Sequence, residues 1–226
     1  MSVREQAIFP STSPIDLART AIERSKLYGL LATLFRHEPG QELIEELRRP
    51  AVRKVLADAG VELGDTFFGQ APAPLAEQLA VEYTHLFLGP GKHISPHESV
   101  QLKRGSGTLW GAETGVVKRF MQAAGYELDA AFSGIPDHLS VELEFLSHLA
   151  AREAEAWEVG DIEAVRAALG WQHRFLTNHL GKWAAHFCGK VEAAAETPFY
   201  SNFARLLRGF LAGEKAEMMS RLGIVT

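Results

Sequence analysis

An all-α fold is predicted by three features of the sequence. Apolar residues recur at helical spacing through every long ordered stretch, no period-2 run of β-branched residues occurs, and no repeat of roughly 20–50 residues is present. Breaker positions divide the chain into roughly ten helical segments. At 226 residues they are read as a single globular bundle, one domain over 1–226, with a hinge at 125–135.

The elements follow in order. In "STSPIDLARTAIERSKLYGLLATLFRHEPG" Ser13 can cap, Pro14 suits the first helical position, and Asp16 suits the positive end of the helix dipole. Leu27, Leu30, Leu31 and Leu34 continue the helix until Pro39-Gly40 stops it. "QELIEELRR" and "AVRKVLADAG" are shorter helices separated by Pro50, and "VELGDTFFGQAPAP" reads as a loop. A second long helix starts near Pro74, carries Leu75, Leu79, Tyr83, Leu86 and Phe87 as one stripe, and ends at Gly89-Pro90-Gly91.

A turn-rich segment, "GPGKHISPHES", comes next. "GTLWGAETGVVKRFMQAAG" is helical despite its glycines, and "YELDAAFSGI" is a linker. The helix of "IPDHLSVELEFLSHLA" is expected to place Pro136 in its first turn. Asp161 caps "IEAVRAALG", and "WQHRFLTNHLGKWAAHF" runs on with Phe175, Leu176, His179, Leu180, Trp183 and Phe187 in register. Thr197-Pro198 opens the last major helix, "PFYSNFARLLRGFLAGEK", before a frayed tail.

Composition narrows the function classes. A formal charge of −5 argues against a general nucleic-acid binder, because phosphate binding needs a cationic surface. The one cysteine, Cys188, permits no internal disulfide or CxxC knuckle and reads as a buried thiol. The N-terminal stretch lacks an apolar signal core, and no segment reaches the ~18 apolar residues of a membrane span, so a cytoplasmic protein without membrane insertion is expected.

The chemistry concentrates in residues 135–150. With about 100° per residue, Leu139, Leu143, Leu146 and Ala150 define a core face. His138 and Glu142 fall one turn apart on its flank, whereas Glu144 and His148 point the opposite way as a solvated pair. The two pairs cannot share one metal ion, matched Glu-x-x-His motifs are absent, and "HESVQ" lacks the second histidine of HExxH. No catalytic or metal-ligating residue and no cofactor is assigned. The alternative is a metal- or carboxylate-dependent enzyme using His85, His93 and His97. A buried flank carboxylate must find donors, and for Glu142 the amides of the 91–99 loop are the expected ones.

Two segments together carry a family likeness. "YTHLFLGPGKHISPHESV" (83–100) supplies Tyr83, Leu86-Phe87, Gly89-Pro90-Gly91, Pro96 and Glu98-Ser99. "PDHLSVELEFLSHL" (136–149) supplies Pro136-Asp137-His138-Leu139, Glu142-Leu143 and Glu144-Phe145. The pair resembles the signature of the TorD/DmsD/NarJ-type maturation chaperones of molybdenum-containing oxidoreductases, with the likeness spanning most of residues 15 to 212. The resemblance implies a TorD-like all-α chaperone fold, no catalysis, and a protein partner in the cytoplasm. That partner is the apo catalytic subunit of a molybdopterin-containing enzyme, often engaged through its twin-arginine leader and held back from export until the cofactor is inserted. It also implies a monomer or a domain-swapped homodimer.

The leader- or client-binding residues so implied are Tyr83, Phe87, Pro96, His97, Glu98, Ser99, Asp137, His138 and Glu142. A leader offers arginines and an apolar stretch, so Asp137, Glu98 and Glu142 are expected to supply charge, and Tyr83, Phe87, Leu102 and Trp110 apolar wall. His97 departs from the family pattern, which often has an aromatic residue after this proline. "GSGTLWG" (105–111) is not a P-loop, since no GK[ST] follows.

Overall fold

The computed structural model describes residues 13–89, 91–102, 109–128 and 134–225. Among them are α1 (Pro14–Arg36), α2 (Gln41–Arg48), α3 (Pro50–Asp58), α4 (Gly64–Gly69), α5 (Pro72–Tyr83), a π-helical turn (Thr84–Leu88), α6 (Glu98–Gln101), α7 (Ala112–Ala123), α8 (Leu139–Val159), α9 (Ile162–Asn178), α10 (Leu180–Ala194) and α11 (Pro198–Ile224). The fold is all-α.

The expected caps form. Ser13, Asp161 and Thr197 each accept a backbone N–H of the first turn, from Asp16, Ala164 and Phe199, satisfying amides that have no partner within the helix. Long α1 lies along long α8 as the central pair. The two approach closely where small residues meet: Ser25 Oγ donates to the Ser147 carbonyl at 2.9 Å, and Ser147 Oγ returns the bond to the Ser25 carbonyl at 2.8 Å. α9 packs on α8, α10 and α11, while α2 joins α3 and α5 on the other flank. Apolar side chains from Ala18 to Val225 make one continuous core, including Tyr28, Phe35, Phe145, Phe175, Trp183 and Phe203. Cys188 is buried in it as expected, and burial pushes its thiol up to about 12.

A buried polar hub crosses that core. The Arg24 Nε donates to Glu214 at 2.8 Å, its Nη1 to Glu153 at 2.8 Å, and its Nη2 to Gln172. Gln172 also donates to Glu153 and Tyr28 OH to Glu214, so α1, α8, α9 and α11 share one network. Burial works against the Arg24 charge, but Glu153 and Glu214 more than offset it and hold the guanidinium above its ordinary value.

Several expectations are corrected. "VELGDTFFGQAPAP" is not all loop, because α4 forms in it and buries Phe67. α5 begins at Pro72, two residues before Pro74. α8 begins at Leu139, and Pro136 lies outside it: His138 is the N-cap, its Nδ1 accepting the Ser140 N–H at 3.1 Å. The run from Ile162 to Ala194 is broken at His179, whose φ of −123° and ψ of −105° turn the chain between α9 and α10. Gly181 is required just after this turn, since a Cβ there would overlap the Leu176 carbonyl oxygen. The tail after Lys215 is helical to Ile224, burying Met218 and fastening Val225, whose carbonyl accepts the Arg166 Nε at 2.9 Å. Glu144 and His148 do not pair with each other. Glu144 meets Arg36, and the His148 ring lies 5.2 Å from Tyr126. Of the expected hinge at 125–135, residues 129–133 lie outside the described residues.

Candidate functional site

The two motif segments meet at one place. After the π-turn the chain folds back on itself, with Ile94 N–H donating to the Leu86 carbonyl at 2.7 Å. Gly91, at φ 132°, sits in the region that favours glycine. The next residues pair with the start of α8: Glu98 N–H donates to the Asp137 carbonyl at 3.0 Å, and Leu139 N–H to the Pro96 carbonyl at 2.8 Å. His97 and His138 are thereby bridged as in an antiparallel sheet. Their rings stand edge to face with centroids 4.9 Å apart.

Side chains reinforce the clasp. Asp137 Oδ2 accepts the Ser99 N–H at 2.9 Å. His138 Nδ1 is occupied in capping α8, which requires the neutral ring. Burial, then His97 and Arg36, lower its pKa to about 3. Burial also lowers His97, with Asp137 pulling the other way and His93 adding to the shift.

Beneath the clasp lies an acidic cluster. His179 Nδ1 donates to the Glu98 carboxylate, 3.2 Å from each oxygen, and Trp183 Nε1 donates to Glu142 Oε2 at 3.2 Å. Burial, followed by the charges of Glu98 and Asp137 and a hydrogen bond with Glu98, holds the Glu142 carboxyl well above the usual carboxylate range. The shift favours the neutral carboxyl over a further buried charge beside Glu98 and Asp137. Asp137 Oδ1, Glu142 Oε1 and Ser99 Oγ have no hydrogen-bond partner among the described residues.

The Glu142 expectation is corrected here. No loop amide binds its carboxyl; Asp137 takes the loop amide, and Glu142 reaches Trp183 on α10. His179 and Trp183 were the missing members. Their apolar register marked them as core, but a histidine and an indole N–H at that face were the signal that polar partners lie opposite.

Of the predicted residues, only His97 and His138 keep partial exposure. Pro96, Glu98, Ser99, Asp137 and Glu142 are buried, so none offers a surface to a ligand in this conformation. Tyr83 and Phe87 belong to the core, each 3 % exposed, with Phe87 stacked on Phe187 and Tyr83 OH donating to the Phe35 carbonyl. Leu102 is half-buried and Trp110 is exposed, its backbone at φ 65°. His85, His93 and His97 make no metal cage: among the described residues, no three His, Cys, Asp or Glu side chains converge to hold a metal ion. No helix of the described residues is long and apolar enough to cross a membrane.

Comparison with known proteins adds the relationship. The family model of the nitrate reductase delta subunit matches residues 50–189, more than half of the chain and all of the clasp with His179 and Trp183. The chaperone protein TorD of Aeromonas salmonicida is 31 % identical over 206 residues, covering 87 % of this chain and 91 % of its own. The chain belongs to the TorD chaperone family. The TorD of Shewanella pealeana is 26 % identical over 230 residues, covering 94 % of this chain and 97 % of its own. A solved redox enzyme maturation protein from Archaeoglobus fulgidus shares the fold at TM-score 0.50 and 23 % identity, over 92 % of this chain and 99 % of that one. Within this TorD-family fold, the clasp joins the two signature segments through the backbone of His97 and His138.

Proposed function

We propose that this chain is a cytoplasmic maturation chaperone that binds the apo catalytic subunit of a molybdopterin-containing oxidoreductase, assists cofactor insertion and delays export. One observation carries the reading: the likeness to TorD chaperones extends over nearly the whole length of both chains. The clasp fits a binding role better than a reaction centre, because Asp137 and Glu98 each already hold an internal donor and burial keeps the His138 ring neutral. The surface it leaves open is the paired His97–His138 edge.

Co-expression with a candidate client tests the proposal. Molybdenum content and activity of the client should fall when the chaperone gene is deleted, and unchanged values would sink it. A second reading, that the chaperone grips the mature client and ignores its leader, is separated by calorimetry with a twin-arginine leader peptide against a Lys-Lys variant. Exchange of helices about the 125–135 segment would give a monomer–dimer mixture. Light scattering that finds one concentration-independent monomer rejects that exchange.

A further inference from the structure

A second polar feature lies outside the clasp. Glu82, at the end of α5, is 4 % exposed. Its Oε1 accepts the backbone N–H groups of Glu196 at 2.7 Å and Thr197 at 2.9 Å, fastening the start of α11. Its Oε2 is buried with no partner among the described residues. A carboxylate oxygen without a donor is costly inside a protein, so this atom calls for one.

Glu82 lines a cavity of about 100 Å³ with His85, Leu86, Lys92, Ile94 and Glu196. Since a water occupies about 30 Å³ of liquid, the space admits several waters or one planar guanidinium. Two carboxylates against one lysine give the walls a negative balance. Val81 and Leu88, one turn to either side of His85, are exposed at 56 % and 60 % and present apolar surface beside the acidic opening. A basic side chain flanked by apolar residues is the complement of that surface, and arginine matches a carboxylate pair best because its donors form a planar fork.

We infer that this cavity, between the π-turn and the α10–α11 junction, is a subsite that takes the guanidinium of an arginine in a client peptide, held between Glu82 and Glu196. The identity of the peptide rests on the chaperone function proposed above. Asp137 keeps an orphan oxygen too, but it is fully buried, whereas Glu82 lines a cavity beside exposed apolar residues, so the arginine is met at Glu82.

The test titrates the full chain with N-acetyl-Arg-Arg-amide and, separately, with a twin-arginine leader peptide, following backbone amide resonances and heat. The dipeptide should move the resonances of residues 82–94 and 194–197. Glu82→Gln keeps an acceptor for the two α11 amides while neutralising the orphan oxygen, and Glu196→Gln changes only an exposed side chain. Each should weaken both ligands about tenfold, whereas Lys92→Ala should tighten them. Thermal melts confirm that the variants are folded. Shifts mapping elsewhere, or a leader affinity unchanged in Glu82→Gln, overturn the subsite and leave the chaperone function standing. Dipeptide binding at the cavity with no binding of leader or client by the intact protein has the reverse meaning.

Discussion

The Asp137 carboxylate accepts the backbone N–H of Ser99 at 2.9 Å across 38 residues of sequence, and both groups are buried. This bond and the His97–His138 backbone bridge hold the loop after the π-turn against the start of α8. Asp137→Ala removes the acceptor and strands the Ser99 amide, which should cost about 1–3 kcal/mol. Asp137→Asn keeps an acceptor oxygen and should cost less. Urea denaturation of the two variants beside the parent chain measures the difference, and equal losses would mean that the bond contributes nothing.

Stability in acid should report His138. Its folded pKa is about 3, below the ordinary 6.5, so the unfolded chain takes up the proton first as pH falls. The stability contributed by the neutral ring is complete above pH 6.5 and is lost progressively down to about pH 3, at no more than ~1.4 kcal/mol per pH unit. His138→Gln should flatten the pH–stability curve in this window. Chemical denaturation at half-unit intervals checks the slope.

Glu142 should act with the opposite sign. Its folded pKa lies above the ordinary 4.5, so its contribution is full below that pH and is lost as pH rises through the folded value. Glu142→Gln retains an oxygen for the Trp183 indole and carries no charge to bury. Its stability relative to the parent should therefore improve as pH rises, as read by thermal melts across a pH series.

Arg24 should be the most sensitive position of the core. Arg24→Met leaves Glu153 buried without its cation and Glu214 with Arg221 alone, and loss of one partner of such a group costs about 3–5 kcal/mol. Replacing the three charged residues together with apolar ones of similar volume should recover much of the loss. Denaturant midpoints of the single and triple variants give the comparison, and a triple no better than the single would reject the electrostatic account.

Much of the fold was legible because its signals are local. Ser13, Asp161 and Thr197 are ordinary capping residues placed before apolar runs, and Pro14, Pro50 and Pro198 stand at first helical positions. What escaped was decided by distant partners. His138 is an unusual cap, and Pro136-Asp137 imitates a helix start, but Glu98 N–H claims the Asp137 carbonyl before α8 begins. The break at His179 is invisible in a periodicity that runs across it; its ring turns to Glu98, 81 residues earlier. The site was legible as two segments that belong together. That most of its side chains face inward was not, because a carboxylate's burial depends on donors that no neighbouring sequence reveals. Arg24 did leave a trace: it lies on the same helical face as Tyr28 and Leu31, an apolar face where a charge must be matched.

The Arg24–Glu214 pair also sets a clock. The partners stand 190 residues apart, so at about 5–20 residues per second a ribosome needs roughly ten to forty seconds between making one and making the other. Throughout that interval α1 holds a guanidinium and the Tyr28 hydroxyl destined for a carboxylate not yet synthesised. The central α1–α8 pair can form early, but its polar seam closes only when the last helix arrives. A fold whose central seam ties its first helix to its last must wait, half-assembled, for α11.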